Sequence, residues 1–83
     1  MNAENVAKKA ERIFKTAQKN NPELEYKVEA DFDCVWCWTY KKHNAKNMIF
    51  YSHFQNTQIN IRLELLEKWA NNSPTHKNFP ELN

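Results

Sequence analysis

A strict alternation of apolar and polar residues over residues 24–40 constrains the fold of this chain more than any other feature. Every second residue of the stretch is apolar or aromatic, namely Leu24, Tyr26, Val28, Ala30, Phe32, Cys34, Trp36, Trp38 and Tyr40. A period of two is typical of β structure with one buried face. Fully extended, the stretch would be about 55 Å long, whereas a compact domain of this size has a radius of gyration of about 12 Å. The chain must therefore fold back within it.

The most favourable place for the reversal is residues 31–33, because Asp suits turns and is depleted from strands. We expect a three-residue loop here, which keeps the even-numbered side chains inward in both strands. A two-residue loop would reverse the parity and expose Cys34, Trp36 and Trp38. Since the chain has no glycine for a tight hairpin, a bulge or bend is the alternative.

The remaining elements follow from periodicity and from residues that break helices. Helical spacing predicts a first helix over 3–19, ended by Asn-Asn-Pro, and a second over 58–71. Residues 58–65 also alternate and are compatible with a strand, but the helical pattern continues to Trp69 and Ala70. Strands are predicted over 24–30, 34–40 and 48–54. The fold class is therefore α+β, a two-layer sandwich of order α-β-β-β-α with two helices on one face of a three-stranded antiparallel sheet.

The composition limits the organisation and the chemistry of the chain. Its 83 residues predict one domain over 1–73, followed by an extended or disordered tail over 74–83. The sequence has no long apolar run, so we expect no membrane contact and a cytoplasmic location. The absence of glycine argues against loops that cradle phosphates. We expect no cofactor.

Charge is segregated along the chain, although the net charge is only +2. Residues 1–22 carry +3, residues 23–33 carry −4 and residues 34–47 carry +3. One face of the first helix bears a basic stripe, and the loop after the second strand bears more lysines. These are the candidate partner-binding residues: Lys8, Arg12, Lys15, Lys19, Lys41, Lys42 and Lys46. The stripe is either a solvated helix face or a surface for phosphates or acidic groups.

A zinc site is the alternative reading of the two cysteines. Cys34 and Cys37, with His43 and His53, have the side chains that zinc prefers. Residues three apart in a strand point to opposite faces, however, so we expect two reduced cysteines and no metal.

Two further groups of side chains have a structural and a functional interpretation. Trp36, Trp38 and Tyr40 form the core if the helices cover them, and otherwise a platform on which bases could stack. The carboxylates of the first strand and turn could hold Mg²⁺ or act as acid and base, as in a metal-dependent hydrolase. They are Glu25, Glu29, Asp31 and Asp33. We favour a core for the aromatic row and a charged strand edge for the carboxylates.

No catalytic constellation emerges, so we expect a small non-enzymatic binding protein that regulates or inhibits a larger macromolecule. Short chains of this kind are often encoded by phages or mobile elements. A protein partner is favoured, because the acidic residues 23–33 would repel phosphate. The alternative is a nucleic-acid-binding module that uses the first helix and the loop 41–46. The strand 48–54, apolar on both sides, is a candidate for a homodimer contact.

Overall fold

The computed structural model describes residues 2–41, 47–53 and 57–75, with only the backbone described for 38–41 and 47–52. Its elements, in chain order, are α1 (Ala3–Asn20), β1 (Leu24–Ala30), β2 (Cys34–Lys41), β3 (Asn47–His53) and α2 (Ile59–Asn71). The prediction of a small α+β domain with two helices and an antiparallel sheet is confirmed. Predictions for Lys42, His43, Lys46 and the tail from residue 76 onward lie outside the described residues.

Helix α1 begins and ends where its sequence dictates. The side chain of Asn2 caps the first turn, with its Oδ1 atom accepting a hydrogen bond from the N–H of Asn5 at 2.9 Å. The apolar face of the helix is buried through Val6, Ala10 and Phe14. Pro22 then prevents a further helical turn.

Helix α2 confirms the helical interpretation of residues 58–71 over the strand alternative. Four residues at helical spacing are buried, namely Ile59, Leu63, Leu66 and Ala70. Ile61, which would share a buried face with Leu63 in a strand, is 57% exposed. Among the described residues, neither helix is long and apolar enough to cross a bilayer.

The strands form a sheet in which β2 lies between β1 and β3 and is antiparallel to both. The pairing of β1 with β2 runs from Leu24 opposite Lys41 to Ala30 opposite Val35. The N–H of Asp31 then donates to the carbonyl of Cys34 at 2.8 Å. Only Phe32 and Asp33 remain as the turn, so the hairpin has a two-residue loop.

The predicted facing of β2 is wrong, because the turn is one residue shorter than expected. The two-residue loop reverses the parity of the second strand, so Val35 and Cys37, both 0% exposed, face the helices. Trp36 and Cys34 are half-buried and lie on the opposite face. In β1 the predicted facing holds, because Leu24 is buried and Val28 packs against the core.

The core is built chiefly from α1, α2 and one face of the β1–β2 hairpin. Phe14 is fully buried at its centre, stacked on Tyr26 with ring centroids 5.4 Å apart and in edge contact with Trp69 at 5.8 Å. Where the helices end, the Asn20 side chain donates to the carbonyl of Ala70 at 2.8 Å. These contacts fix α2 beside α1.

Candidate functional site

The most exposed large apolar side chain among the described residues lies at the tip of the β1–β2 hairpin. Phe32 is 94% exposed, whereas the other large exposed hydrophobic residue, Ile61, is 57% exposed. Phe32 is the first of the two loop residues, and an aspartate stands on each side of it. The structure thus presents an aromatic ring to solvent between two carboxyl groups.

Hydrogen bonds and an ion pair hold this tip in place. The N–H of Phe32 donates to Oδ1 of Asp31 at 2.6 Å, and the N–H of Asp31 closes the turn onto Cys34. On the other side, Oδ2 of Asp33 lies 3.4 Å from Nε2 of His53, at the end of β3. Both side chains of that pair are nearly half exposed, so the contact adds little stability but restrains the tip.

The charge at the tip comes from the two aspartates. Further along β1, Nζ of Lys27 lies 2.8 Å from Oε1 of Glu29 and compensates that carboxylate. The predicted group Glu25, Glu29, Asp31 and Asp33 is therefore divided, because two of its members pair with different basic side chains. No cluster of three or more His, Cys, Asp or Glu side chains suitable for a metal occurs within residues 2–41, 47–53 and 57–75.

The predicted basic stripe lies along α1, and Lys8, Arg12, Lys15 and Lys19 are all exposed. Two of the four lysine and arginine side chains are compensated by glutamates one turn away. Lys8 lies 3.6 Å from Glu4 and Lys15 lies 4.0 Å from Glu11, both as exposed i,i+4 pairs. A partner-binding role for this stripe stays a prediction. The side chain of Lys41, together with Lys42 and Lys46, falls outside the described part of the chain.

A groove of about 420 Å³ runs between the two helices. Its α1 side carries Lys9 and Arg12, its α2 side carries Glu64 and Glu67, and Leu63 is among its apolar lining residues. The two pairs of opposite charges cancel across the groove, so its walls favour no single sign of ligand charge.

The cysteines lie on opposite faces of β2. Cys37 is buried, and burial raises the pKa of its thiol to about 12, which keeps it protonated and unreactive at neutral pH. Cys34 is half-buried near the turn. A site that uses both thiols would require β2 to break between them, and the predicted ligand His43 is not among the described residues.

Of the predicted aromatic row, Trp36 lies on the sheet face away from the helices. A stacking platform requires this facing. Trp36 lies opposite Glu29 on β1 and opposite Tyr51 on β3. The side chains of Trp38 and Tyr40 lie outside the description, so the row as a whole stays a prediction.

Sequence reasoning missed Phe32 as a surface residue, because the alternation placed it in the inward row. The signal was nevertheless present, since a large apolar residue stands between two turn-forming aspartates. Comparison with family models, with curated proteins and with solved structures gives no significant match.

Proposed function

We propose that this chain is a small non-enzymatic binding protein that regulates or inhibits a larger protein partner, and that it contacts the partner through the tip of the β1–β2 hairpin. The observation that carries the proposal is the 94% exposure of Phe32. Aromatic side chains that enter a partner's pocket are prominent among the residues that dominate binding energy.

An exposed apolar side chain alone would not support this proposal, because such residues are common on protein surfaces. Phe32 differs in its position. Two-residue loops favour Asn, Asp and Gly, which tolerate the backbone conformation of the turn. Phe32 neither suits the turn nor packs against the domain, so its retention at the tip is best explained by contact with another molecule.

The proposed architecture is a two-layer sandwich in which both helices cover one face of a three-stranded sheet. This arrangement supports the function because the hairpin tip then lies at the end of the sheet, where a partner can reach it without disturbing the core.

The test is affinity capture from an extract of the organism that encodes the chain, followed by mass spectrometry. The immobilised proteins are wild type, Phe32→Ala and the matched control Ile61→Ala, which removes the other exposed large apolar side chain. We expect a protein that wild type and Ile61→Ala retain and that Phe32→Ala loses. Identical sets of retained proteins on all three would refute the proposal.

Nucleic acid is the second candidate partner, supported by a shallow groove of about 270 Å³ on α1 that Lys8, Glu11, Arg12 and Lys15 line. Contacts from the four basic residues of the stripe predict a logarithmic salt slope of about −3 to −4 on duplex DNA. The acidic tip and the two lysine–glutamate pairs weaken this candidate. A mixed DNA and RNA pool that does not shift at low salt would eliminate it.

Pairing of β3 with a second copy also stays a proposal. β3 is an outer strand of the sheet, and residues 47–52 carry no formal charge, whereas the other outer strand, β1, carries Glu25, Lys27 and Glu29. Sedimentation velocity tests this contact, because a dimer must form as concentration rises. A chain that remains monomeric at high concentration would exclude it.

A further inference from the structure

The tip of the hairpin combines an apolar side chain with negative charge. The exposed ring of Phe32 stands between Asp31, which is exposed, and Asp33, which is partly exposed. The next carboxylate along β1, Glu29, is already compensated by Lys27. The tip therefore presents two carboxyl groups that flank an aromatic ring, one of which, Asp33, lies beside His53.

This tip is also organised in advance of binding. The Asp31 carboxylate is fixed by the N–H of Phe32, and the turn is closed by the hydrogen bond from Asp31 to Cys34. His53 restrains Asp33 from the neighbouring end of β3. A rigid binding element loses less conformational entropy when it docks, so more of its contact energy appears as affinity.

From these observations we infer that the tip inserts Phe32 into an apolar pocket of a partner protein whose rim carries lysine or arginine side chains. The inference rests on the proposed function and specifies the chemistry of the partner's surface. Charge complementarity selects this occupant. Carboxylates on both sides of the ring would be repelled by the phosphates of nucleic acid and by an anionic membrane surface. A basic rim would instead attract them and orient the ring toward the pocket.

The alternative is that the pocket for Phe32 lies on a second copy of the chain. Its groove between α1 and α2 offers Lys9 and Arg12 above apolar residues, but the same groove carries Glu64 and Glu67. Those glutamates would meet the aspartates of the tip as like charges. We therefore place the pocket on a different protein.

The location of the pocket is tested by photo-crosslinking in the same extract. The full chain carries p-benzoylphenylalanine in place of Phe32, and in the control it replaces Ile61. We expect position 32, and not position 61, to crosslink to one protein, at an apolar surface that lysines or arginines border. A crosslink to α1 or α2 of a second copy, or no crosslink at position 32, would overturn the inference.

The chemistry of the rim is tested on the purified crosslinked protein by titration against charge variants. The Asp31→Asn, Asp33→Asn double variant keeps the side-chain shapes and the amide oxygen that can accept from the N–H of Phe32. Glu23→Gln, immediately before β1, controls for the loss of a single negative charge away from the tip. We expect about tenfold weaker binding for the double variant at low salt, converging with wild type at high salt, and no change for the control.

Phe32→Ala separates this inference from the proposed function. A residue that fills a pocket at the centre of an interface costs at least about 30-fold in affinity when truncated. If Phe32→Ala abolishes binding while the double aspartate variant binds like wild type at every salt concentration, the proposed function stands and the basic rim is refuted. If Phe32→Ala binds like wild type, both fail. Circular dichroism must show that each variant is folded, which the exposure of the substituted side chains leads us to expect.

Discussion

Val35 and Trp36 are neighbours on β2 that face opposite sides of the sheet, and they give the sharpest test of the fold. Val35 is 0% exposed and lies against the helices, whereas Trp36 is half-buried on the other face. Truncating Val35→Ala removes two methyl equivalents from the core, worth about 0.8 kcal/mol each in transfer free energy. A residual cavity adds to this, so we expect a loss of about 2–3 kcal/mol in the free energy of unfolding.

Trp36→Thr is the matched substitution on the opposite face, and it retains a β-branched residue. Because Trp36 is partly exposed and lies outside the core cluster, its removal should cost chiefly the side-chain contacts on that face of the sheet, about 0.2–1 kcal/mol. If Trp36 were a core residue, truncation would cost about 3–5 kcal/mol. The structure thus predicts that the smaller side chain matters more than the larger one.

Urea denaturation followed by far-UV circular dichroism measures both losses. A domain of this size has a total stability of roughly 4–12 kcal/mol and an m-value of about 1 kcal/mol per molar urea. The midpoint should fall by about 2–3 M for Val35→Ala and by about 1 M or less for Trp36→Thr. A larger loss for Trp36→Thr than for Val35→Ala would refute the two-residue turn and the facing derived from it.

Four further predictions concern the helix ends and the thiols. Asn20→Ala should lower the free energy of unfolding by about 1 kcal/mol because it removes the hydrogen bond to the Ala70 carbonyl; urea denaturation checks this, and no loss would contradict it. Asn2→Ala should cost about 1 kcal/mol through loss of the cap of α1, with Asn2→Ser, which keeps a capping oxygen, as the control in the same assay. In the native chain, a thiol reagent at mild alkaline pH should modify Cys34 before Cys37, whose buried thiol has a pKa of about 12. Because folding raises the pKa of Cys37, the stability linked to its protonated thiol is present below the unfolded value near 9 and is lost as pH rises from there toward 12. Alkaline unfolding should therefore be delayed in Cys37→Ala.

The helices and the strand positions could be predicted from the sequence because their signals are local. The 3.6-residue period identifies the buried face of α1, and Pro22 sets its end. In α2, Leu63 and Leu66 are buried and Ile61 is exposed, as the helical period predicts and the two-residue period of a strand does not. Both decisions depend on residues within two turns of each other.

The facing of β2 could not be predicted in this way, because it depends on one residue of turn length. Both faces of the strand are apolar, with Val35 and Cys37 on one side and Cys34 and Trp36 on the other. Hydrophobicity favours burial of the tryptophan side, but the register fixed by Asp31 and Cys34 buries the smaller pair. The core between the hairpin and the two helices, which already contains Phe14 and Trp69, accommodates Val and Cys at these positions.

The candidate site was missed for the same reason. The alternation predicts that Phe32 is buried, so the sequence offers the lysines of α1 as the candidate binding residues instead. The structure brings Lys8, Arg12 and Lys15 to one surface, but it also pairs two of them with glutamates. The exposure of Phe32 follows from the two-residue length of the turn, which is seen only in the structure.

The turn therefore couples the core to the proposed binding tip. A three-residue loop would have faced Trp36 toward the helices and allowed Phe32 to continue the inward row. The two-residue loop buries Val35 and Cys37 and, by the same reversal, leaves Phe32 with nowhere to pack. Asn-Gly is the pair that such a loop favours, so turn preference alone does not account for Phe32-Asp33. The proposed contact with a partner would account for it, since Phe32 contributes least to the fold and lies where a partner could reach it.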